Sequence, residues 1–252
     1  MIARRLLSGV CLFASVVFAA APARAETLFG VYAGVAQWHQ NSAGSIASGG
    51  ATVDTKQDLA LGDTDNRIWF LALEHPIPFV PNLKVQRMDA SLDGRVELLR
   101  TLELNGVTFD PPGEILSNVS LRYDDAILYY NVLDTGVHLD LGLVARKLEG
   151  SAYIYSGNEF SKISFDAVLP MLYASSRVEV LNGYWFGLEG MGVMWQGDTF
   201  MDVTAEMGWR SKLGLGLEVG YRYTRFRVSS LGDIDKARLT VEGPFASLSY
   251  RY

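Results

Sequence analysis

The sequence predicts an all-β protein, a transmembrane antiparallel up-and-down β-barrel, and three features predict it. The chain opens with an export leader; no later stretch is apolar for the length of a membrane helix; and the second half alternates apolar and polar residues with a period of two up to the last residue. A chain sent out of the cytoplasm with 49% hydrophobic and 12% aromatic residues has a closed barrel as its other way of satisfying every backbone group inside a bilayer.

Met1 to Ala25 carries Arg4 and Arg5, the apolar run Leu6 to Ala20, and Ala23-Arg24-Ala25 ahead of Glu26. These are the three parts of a signal peptide. The apolar run is shorter than the roughly 20 residues a spanning helix needs, so residues 1–25 are expected to be removed and 26–252 to form one outer-membrane barrel domain. Cleavage takes away Cys11, the single cysteine, and with it any disulfide or thiolate chemistry. It also takes Arg4, Arg5 and Arg24, leaving 22 − 3 = 19 basic against 28 acidic residues, a net charge of −9. That balance argues against nucleic acid as a partner.

The first strand is expected from Leu28 to Gln40, with Val31 and Val35 toward lipid and small residues on the other face. Asn41 to Asp65, rich in glycine, reads as a long loop. Arg67 to Glu74 is the second strand, and the prolines of His75-Pro-Ile-Pro-Phe-Val-Pro81 stop it. Leu83 to Asp93 follows. Gly94 to Ser117 is a loop expected to hold a small hairpin of its own, turned by Asn105-Gly106, a pair that takes the positive φ angles of a type I′ turn. Asn118 to Leu133 descends, and Asp134-Thr135-Gly136 turns it.

From Val137 to Lys147 the alternation sharpens, with Leu139, Leu141 and Leu143 opposite His138, Asp140 and Arg146. Gly150 to Ser161 reads as a polar loop. In the strand Ile163 to Val180, Phe165, Leu169 and Met171 share parity with Arg177 and Glu179, so a bulge near Pro170 is expected to restore the phase. Leu181 to Tyr184 turns, Trp185 to Trp195 returns, and Met201 to Arg210 sets Met201, Val203, Met207 and Trp209 against Asp202, Glu206 and Arg210. Leu213 to Tyr223 sets Leu215, Leu217 and Val219 against Glu218 and Arg222, and Lys236 to Tyr252 closes the chain on the apolar positions Leu248, Tyr250 and Tyr252.

The count is ten strands, or eight if two of the weaker early segments are not strands. Short connections at 75–82, 134–136, 181–184 and 211–212 alternate with mostly longer ones, as periplasmic turns and extracellular loops do. Trp185, Trp195, Trp209, Tyr221 and Tyr223 fall near strand ends, where an interfacial girdle is expected.

These residues carry a likeness. The Gly30-Val-Tyr-Ala-Gly-Val35 strand, the Glu74-to-Asn82 turn, Leu139-Asp-Leu-Gly-Leu143 and the ending Gly243-Pro-Phe-Ala-Ser-Leu-Ser-Tyr-Arg-Tyr252 together resemble a family of proteobacterial outer-membrane β-barrel proteins of unassigned activity. The resemblance implies the fold, the outer membrane as location, and a last strand of which Leu248, Tyr250 and Tyr252 are read by the barrel assembly machinery and periplasmic chaperones. It carries over no catalytic residue.

The inward faces hold charges of both signs: Asp140, Arg146, Glu189, Asp202, Glu206, Arg210, Glu218 and Arg222. In a narrow lumen such groups can pair across the interior and plug it, whereas a selective pore favours a ring of one sign. Catalysis needs a base beside its partner. Of His39, His75 and His138 only His39 is expected near the outer rim, close to Asp54 or Asp58 if the first loop folds back. Asp63-Thr-Asp65-Asn66 lacks the glycine and closing glutamate of a calcium loop, and Asn118-Val-Ser120 and Gly49-Gly50 read as surface features. The expectation is a monomeric barrel in outer-membrane lipid, without cofactor or metal, in a structural or surface-interaction role. A narrow channel for small solutes ranks second, and a membrane hydrolase third.

Overall fold

The computed structural model describes residues 29–49, 51–230 and 233–252; the leader expected at 1–25, its cleavage site and Gly50 lie outside them. Period-two alternation gives thirteen strands: β1 Gly30–Ser48, β2 Ala51–Asp54, β3 Thr64–Glu74, β4 Asn82–Glu97, β5 Leu102–Leu104, β6 Val107–Phe109, β7 Glu114–Asp134, β8 Val137–Ser156, β9 Glu159–Glu179, β10 Tyr184–Trp195, β11 Asp198–Arg210, β12 Leu215–Val228 and β13 Lys236–Arg251. Ten of them form an antiparallel up-and-down barrel in the order β1-β3-β4-β7-β8-β9-β10-β11-β12-β13, closed by β13 against β1. β2 extends the sheet beside the outer end of β1, and β5 with β6 makes a separate hairpin.

The stagger can be read from the register. Stepping between paired residues from Val31 through Leu73, Leu83, Leu128, Leu143, Leu172, Gly192, Met201, Arg225 and Thr240 returns to β1 at Ala43, 12 residues beyond the start. A ten-stranded barrel with that shear tilts its strands by about 40° and has a backbone radius of about 10 Å. Side chains from opposite walls therefore meet at its centre.

The faces divide as a bilayer requires. Leu215, Leu217 and Val219 are about half exposed on the outer wall, while Glu218 and Arg222 on the alternate face of the same strand are 3% and 6% exposed inside. Leu141, Leu143, Leu172, Phe186, Leu188, Met207 and Leu248 continue the outward apolar belt. From Val137 to Ala145 the belt spans eight steps of about 3.3 Å, which at that tilt is a height of about 20 Å.

The hairpin expected at Asn105-Gly106 is present as β5 and β6, with both turn residues at positive φ, 50° and 76°. Three expected loops are mostly strand. β1 runs on through Asn41–Ser48 and turns back as β2; β4 and β7 extend to Glu97 and from Glu114; and β8 and β9 meet across the two-residue turn Gly157-Asn158 instead of a loop from Gly150 to Ser161. Most of their outward residues are polar because these segments stand above the apolar belt in water, with Leu116, Tyr155 and Phe160 as exceptions at the tip.

No bulge occurs near Pro170. β8 and β9 pair without interruption from Val137↔Val178 to Ser156↔Glu159, and the irregularity lies between Asn131 and Leu133 of β7. Phe165, Leu169, Met171 and Arg177 all point inward, because the lumen is apolar at its outer end and charged below. Pro170 is tolerated since β9 pairs with β10 only from Leu172 to Glu179, so its missing N–H falls where that ladder has ended.

Candidate functional site

Among the described residues, charged side chains converge away from water in the lumen. Its central layer is built on Arg146 of β8, 1% exposed. Nε and Nη2 of Arg146 donate to the two carboxylate oxygens of Asp125 on β7, each at 2.6 Å, and Nη1 donates across the lumen to Asp202 on β11 at 3.0 Å. Arg222 of β12 donates twice to the same Asp202, at 2.8 and 2.5 Å. Two guanidinium groups and two carboxylates thus cancel, with the fork-to-carboxylate geometry that makes such bonds strong. The ring of Tyr123 lies 4.1 Å from the Arg146 guanidinium carbon and that of Trp38 lies 5.0 Å from that of Arg222. Aromatic faces therefore replace water on the open sides of both cations.

Below this layer Lys84 donates to Glu189 at 2.5 Å, and the Tyr173 hydroxyl donates to the same carboxylate at 2.9 Å. Glu218 accepts from Ser249 at 2.6 Å, from Tyr32 at 3.1 Å and from Ser247. Nearer the lower mouth Arg251 pairs with Glu74, and Asn131 donates to Asp140 at 2.6 Å. Trp185 lies flat over Gly187 and Gly208, where a Cβ would come within 2.9 and 2.5 Å of its ring, and Arg177 stacks on it at 4.2 Å.

All eight charged residues singled out from the sequence face the interior. The structure brings Arg146, Asp202 and Arg222 into one cluster, and joins Glu189, Glu218 and Asp140 to Lys84, two serines and Asn131 in turn. Glu206 and Arg210 make no ion pair among the described residues, and Nε of Arg177 and Nε and Nη2 of Arg210 are buried without a hydrogen-bond partner. Sequence reasoning missed Asp125, Lys84, Glu74 and Arg177. Arg177 shows in the parity of β9, and Asp125 follows from Ala126 and Leu128 facing out on β7.

The outer mouth is filled differently. The β5–β6 hairpin and the segment after β2 fold inward, and Phe109, Leu104, Val53, Leu59 and Leu61 pack on Ile115, Ile154 and Ile163 of the wall. Ser161 Oγ donates to the Leu104 carbonyl at 3.0 Å, and Ser48 Oγ to the Asp233 carbonyl at 2.7 Å, tying this cap down. A Cβ at Gly94 would sit 1.9 Å from the Leu59 carbonyl oxygen, so glycine there lets the cap lie directly on β4.

The histidines lie apart from the lumen layer. His39 pairs with Asp65 at 2.9 Å on the exposed outer wall, not with Asp54 or Asp58, because the first segment after β1 turns inward as part of the cap. His75 is in the short connection between β3 and β4, and His138 sits at the lower mouth 2.6 Å from Asp134. Among the described residues no three potential metal ligands converge. Leu248, Tyr250 and Tyr252 point outward from β13.

No family model matches the chain, and no characterised protein matches it in sequence. Among solved structures it is similar to the translocator domain of the autotransporter NalP from Neisseria meningitidis, with 13% identity over 99% of this chain and 94% of that one and a TM-score of 0.45. It is similar to the transport unit of the autotransporter AIDA-I from Escherichia coli, with 8% identity over 97% and 95% and a TM-score of 0.43. It is also similar to Ail, the attachment invasion locus protein of Yersinia pestis, with 11% identity over 88% and 99% and a TM-score of 0.39. A closed antiparallel ladder of ten strands with an apolar belt outside and ion pairs inside is a membrane-spanning β-barrel of the outer-membrane type.

Proposed function

We propose that this chain is a sealed outer-membrane barrel that holds an outward-facing surface above the bilayer, in a structural or surface-interaction role. The observation that carries the reading is the double closure of the lumen: the Arg146–Asp125–Asp202–Arg222 layer below and the apolar cap around Phe109 above. Removing one partner of such a layer strands a buried charge at a cost of about 3–5 kcal/mol, so the layer resists opening. A second observation supports the interaction role. At the tip formed by β7, β8 and β9, Leu116, Tyr155 and Phe160 are exposed in register with one another, and Phe160 lies 5.0 and 6.2 Å from the rings of Tyr155 and Tyr153. A cluster of exposed aromatic residues in water is the composition of a protein contact site.

The reading includes removal of residues 1–25, recognition of the last strand by the assembly machinery and periplasmic chaperones, and a monomer in lipid. The channel reading is favoured by the unpaired donors of Arg177 and Arg210 at the lower mouth. Planar-bilayer recordings on the refolded residues 26–252 separate the two. The sealed barrel gives no conductance steps, and reproducible steps that change ion selectivity in Glu206→Gln would sink it.

A further inference from the structure

A groove of about 520 Å³ runs across the outside of the barrel over β3, β4, β7 and β8. That volume lies within the roughly 300–1,000 Å³ of small-molecule sites, yet this one is in the wall, where the solvent is lipid. Its floor is made by Ala126 and Ala145, which are direct neighbours in register, and its sides by Trp69, Leu71 and Val85. Two alanines side by side leave a depression where most outward positions of the belt carry leucine, valine, methionine or aromatic residues. One rung outward the chemistry changes: Arg87, Asp124 and Lys147 line the same groove.

We propose that this groove binds a lipid of the outer leaflet that carries a phosphate monoester, with an acyl chain over Ala126 and Ala145 and the phosphate held by Arg87 and Lys147, a group that the zwitterionic phosphodiester of phosphatidylethanolamine does not offer. The groove straddles the outer edge of the apolar belt, the depth at which a lipid changes from hydrocarbon to headgroup. Inside the groove Arg87 and Lys147 stand with one carboxylate, Asp124, and with Asp89, Glu149 and Arg122 included the edge is balanced at three charges of each sign, so it is the free N–H donors of the two cations, not a net charge, that a phosphate would meet. Arg87 donates through Nε to Asp89 at 2.9 Å and faces Asp124 at 3.6 Å, while Lys147 meets Glu149 at 2.5 Å. These contacts position the two cations over the groove and leave most of their five and three N–H donors free for a phosphate. Arg122 is turned to Asp89 and adds to the same edge. At the outer edge of the opposite wall a single base, Arg225, stands beside Met201 in register, with no second cation across a pair of alanines.

The site rests on the membrane-spanning reading. It is tested on refolded residues 26–252 in detergent by native mass spectrometry with lipid A, dephosphorylated lipid A and phosphatidylethanolamine at equal mole fraction. One lipid A is expected to stay bound at collision energies that strip the other two. Arg87→Gln with Lys147→Gln is expected to lower its retention at least tenfold, and so is filling the floor with Ala126→Leu and Ala145→Leu, whereas Arg225→Gln leaves it unchanged. The leucine variant faces lipid and carries the test even if the charge variant does not fold. Equal retention of lipid A and phosphatidylethanolamine, or undiminished retention in the leucine variant, overturns the site while the barrel stands. Retention of the dephosphorylated form as strong as that of lipid A overturns the role of Arg87 and Lys147. A chain that stays soluble without detergent removes the membrane reading and the site together.

Discussion

The two sides of the barrel are unequal above the membrane. β4, β7, β8 and β9 are 16, 21, 20 and 21 residues long, whereas β10, β11 and β12 are 12, 13 and 14. Within the apolar belt the two walls are built alike. Leu141 and Leu143 on one match Leu217 and Val219 on the other, and Arg146 on one faces Asp202 on the other. The difference lies in the outward extension of the tall wall, where each strand exchanges its faces. On β8 the outward row runs Leu139, Leu141, Leu143, Ala145 and then Lys147, Glu149, Ser151; the inward row runs His138, Asp140, Arg146 and then Leu148, Ala152, Ile154. Below the boundary the outside is hydrocarbon and the centre is ion-paired, while above it the outside is water and the centre is the apolar cap. One strand thus meets two solvents in opposite order.

If that inversion is right, the largest effects should come from the charged layer that joins the two walls. Arg146→Ala leaves Asp125 buried with only Gln86 as a donor and removes the cross-lumen bond to Asp202. The expected loss is about 3–5 kcal/mol, read from urea unfolding in phospholipid vesicles. Combining Arg146→Met with Asp125→Leu is expected to restore most of it, since a well-packed apolar pair often replaces a buried ion pair without loss. A loss below about 1 kcal/mol for Arg146→Ala would mean that water reaches the layer, and the sealed-lumen reading would go.

The next effect compares two positions on the same outward face of β8. Leu143, flanked by Leu128 and Leu172, is in mid-belt, and Leu143→Arg is expected to cost about 2–4 kcal/mol, as arginine does near a bilayer midplane. Ser151 lies eight residues further out on that face, beside Ser120, and Ser151→Arg is expected to stay within about 0.5 kcal/mol. Equal costs at the two positions would break the distinction between belt and extension.

The same inversion explains what could and could not be read from the sequence. β10, β11 and the lower parts of β12 and β13 are legible because they lie in the belt and alternate in one phase, whereas above it β13 too turns Lys236, Arg238 and Thr240 outward and Leu239 and Val241 inward. The extensions of β1, β4, β7, β8 and β9 read as loops because outward residues there, such as Asn41, Arg95 and Ser151, are those of a loop. In β9 the change from Leu169 and Met171 to Arg177 on one face mimics the shift of parity that a bulge produces, although the register never moves. The inward direction of Arg146, Asp202 and Arg222 followed from parity alone. Their partners did not, because which side chains meet across a barrel depends on the shear, and a stagger of 12 residues is a property of the closed ladder that no single strand displays.

The smallest effect is expected on the outside of the tall wall, where Arg122 of β7 pairs with Asp89 of β4, and Arg87 joins Asp89 to Asp124. Both Arg122 and Asp89 are about half exposed. Their attraction is screened by water and ions, and holding two long side chains in one geometry offsets much of what remains. Arg122→Gln should therefore change stability by no more than about 1 kcal/mol, a difference that shrinks further when unfolding is measured in 1 M salt. The lumen layer is out of reach of mobile ions, so the cost of Arg146→Ala should hardly respond to the same change. A salt-insensitive loss at Arg122 would place that pair in a low-dielectric setting, and the boundary between belt and extension would then have to lie further out on β4 and β7 than Arg87 and Asp124.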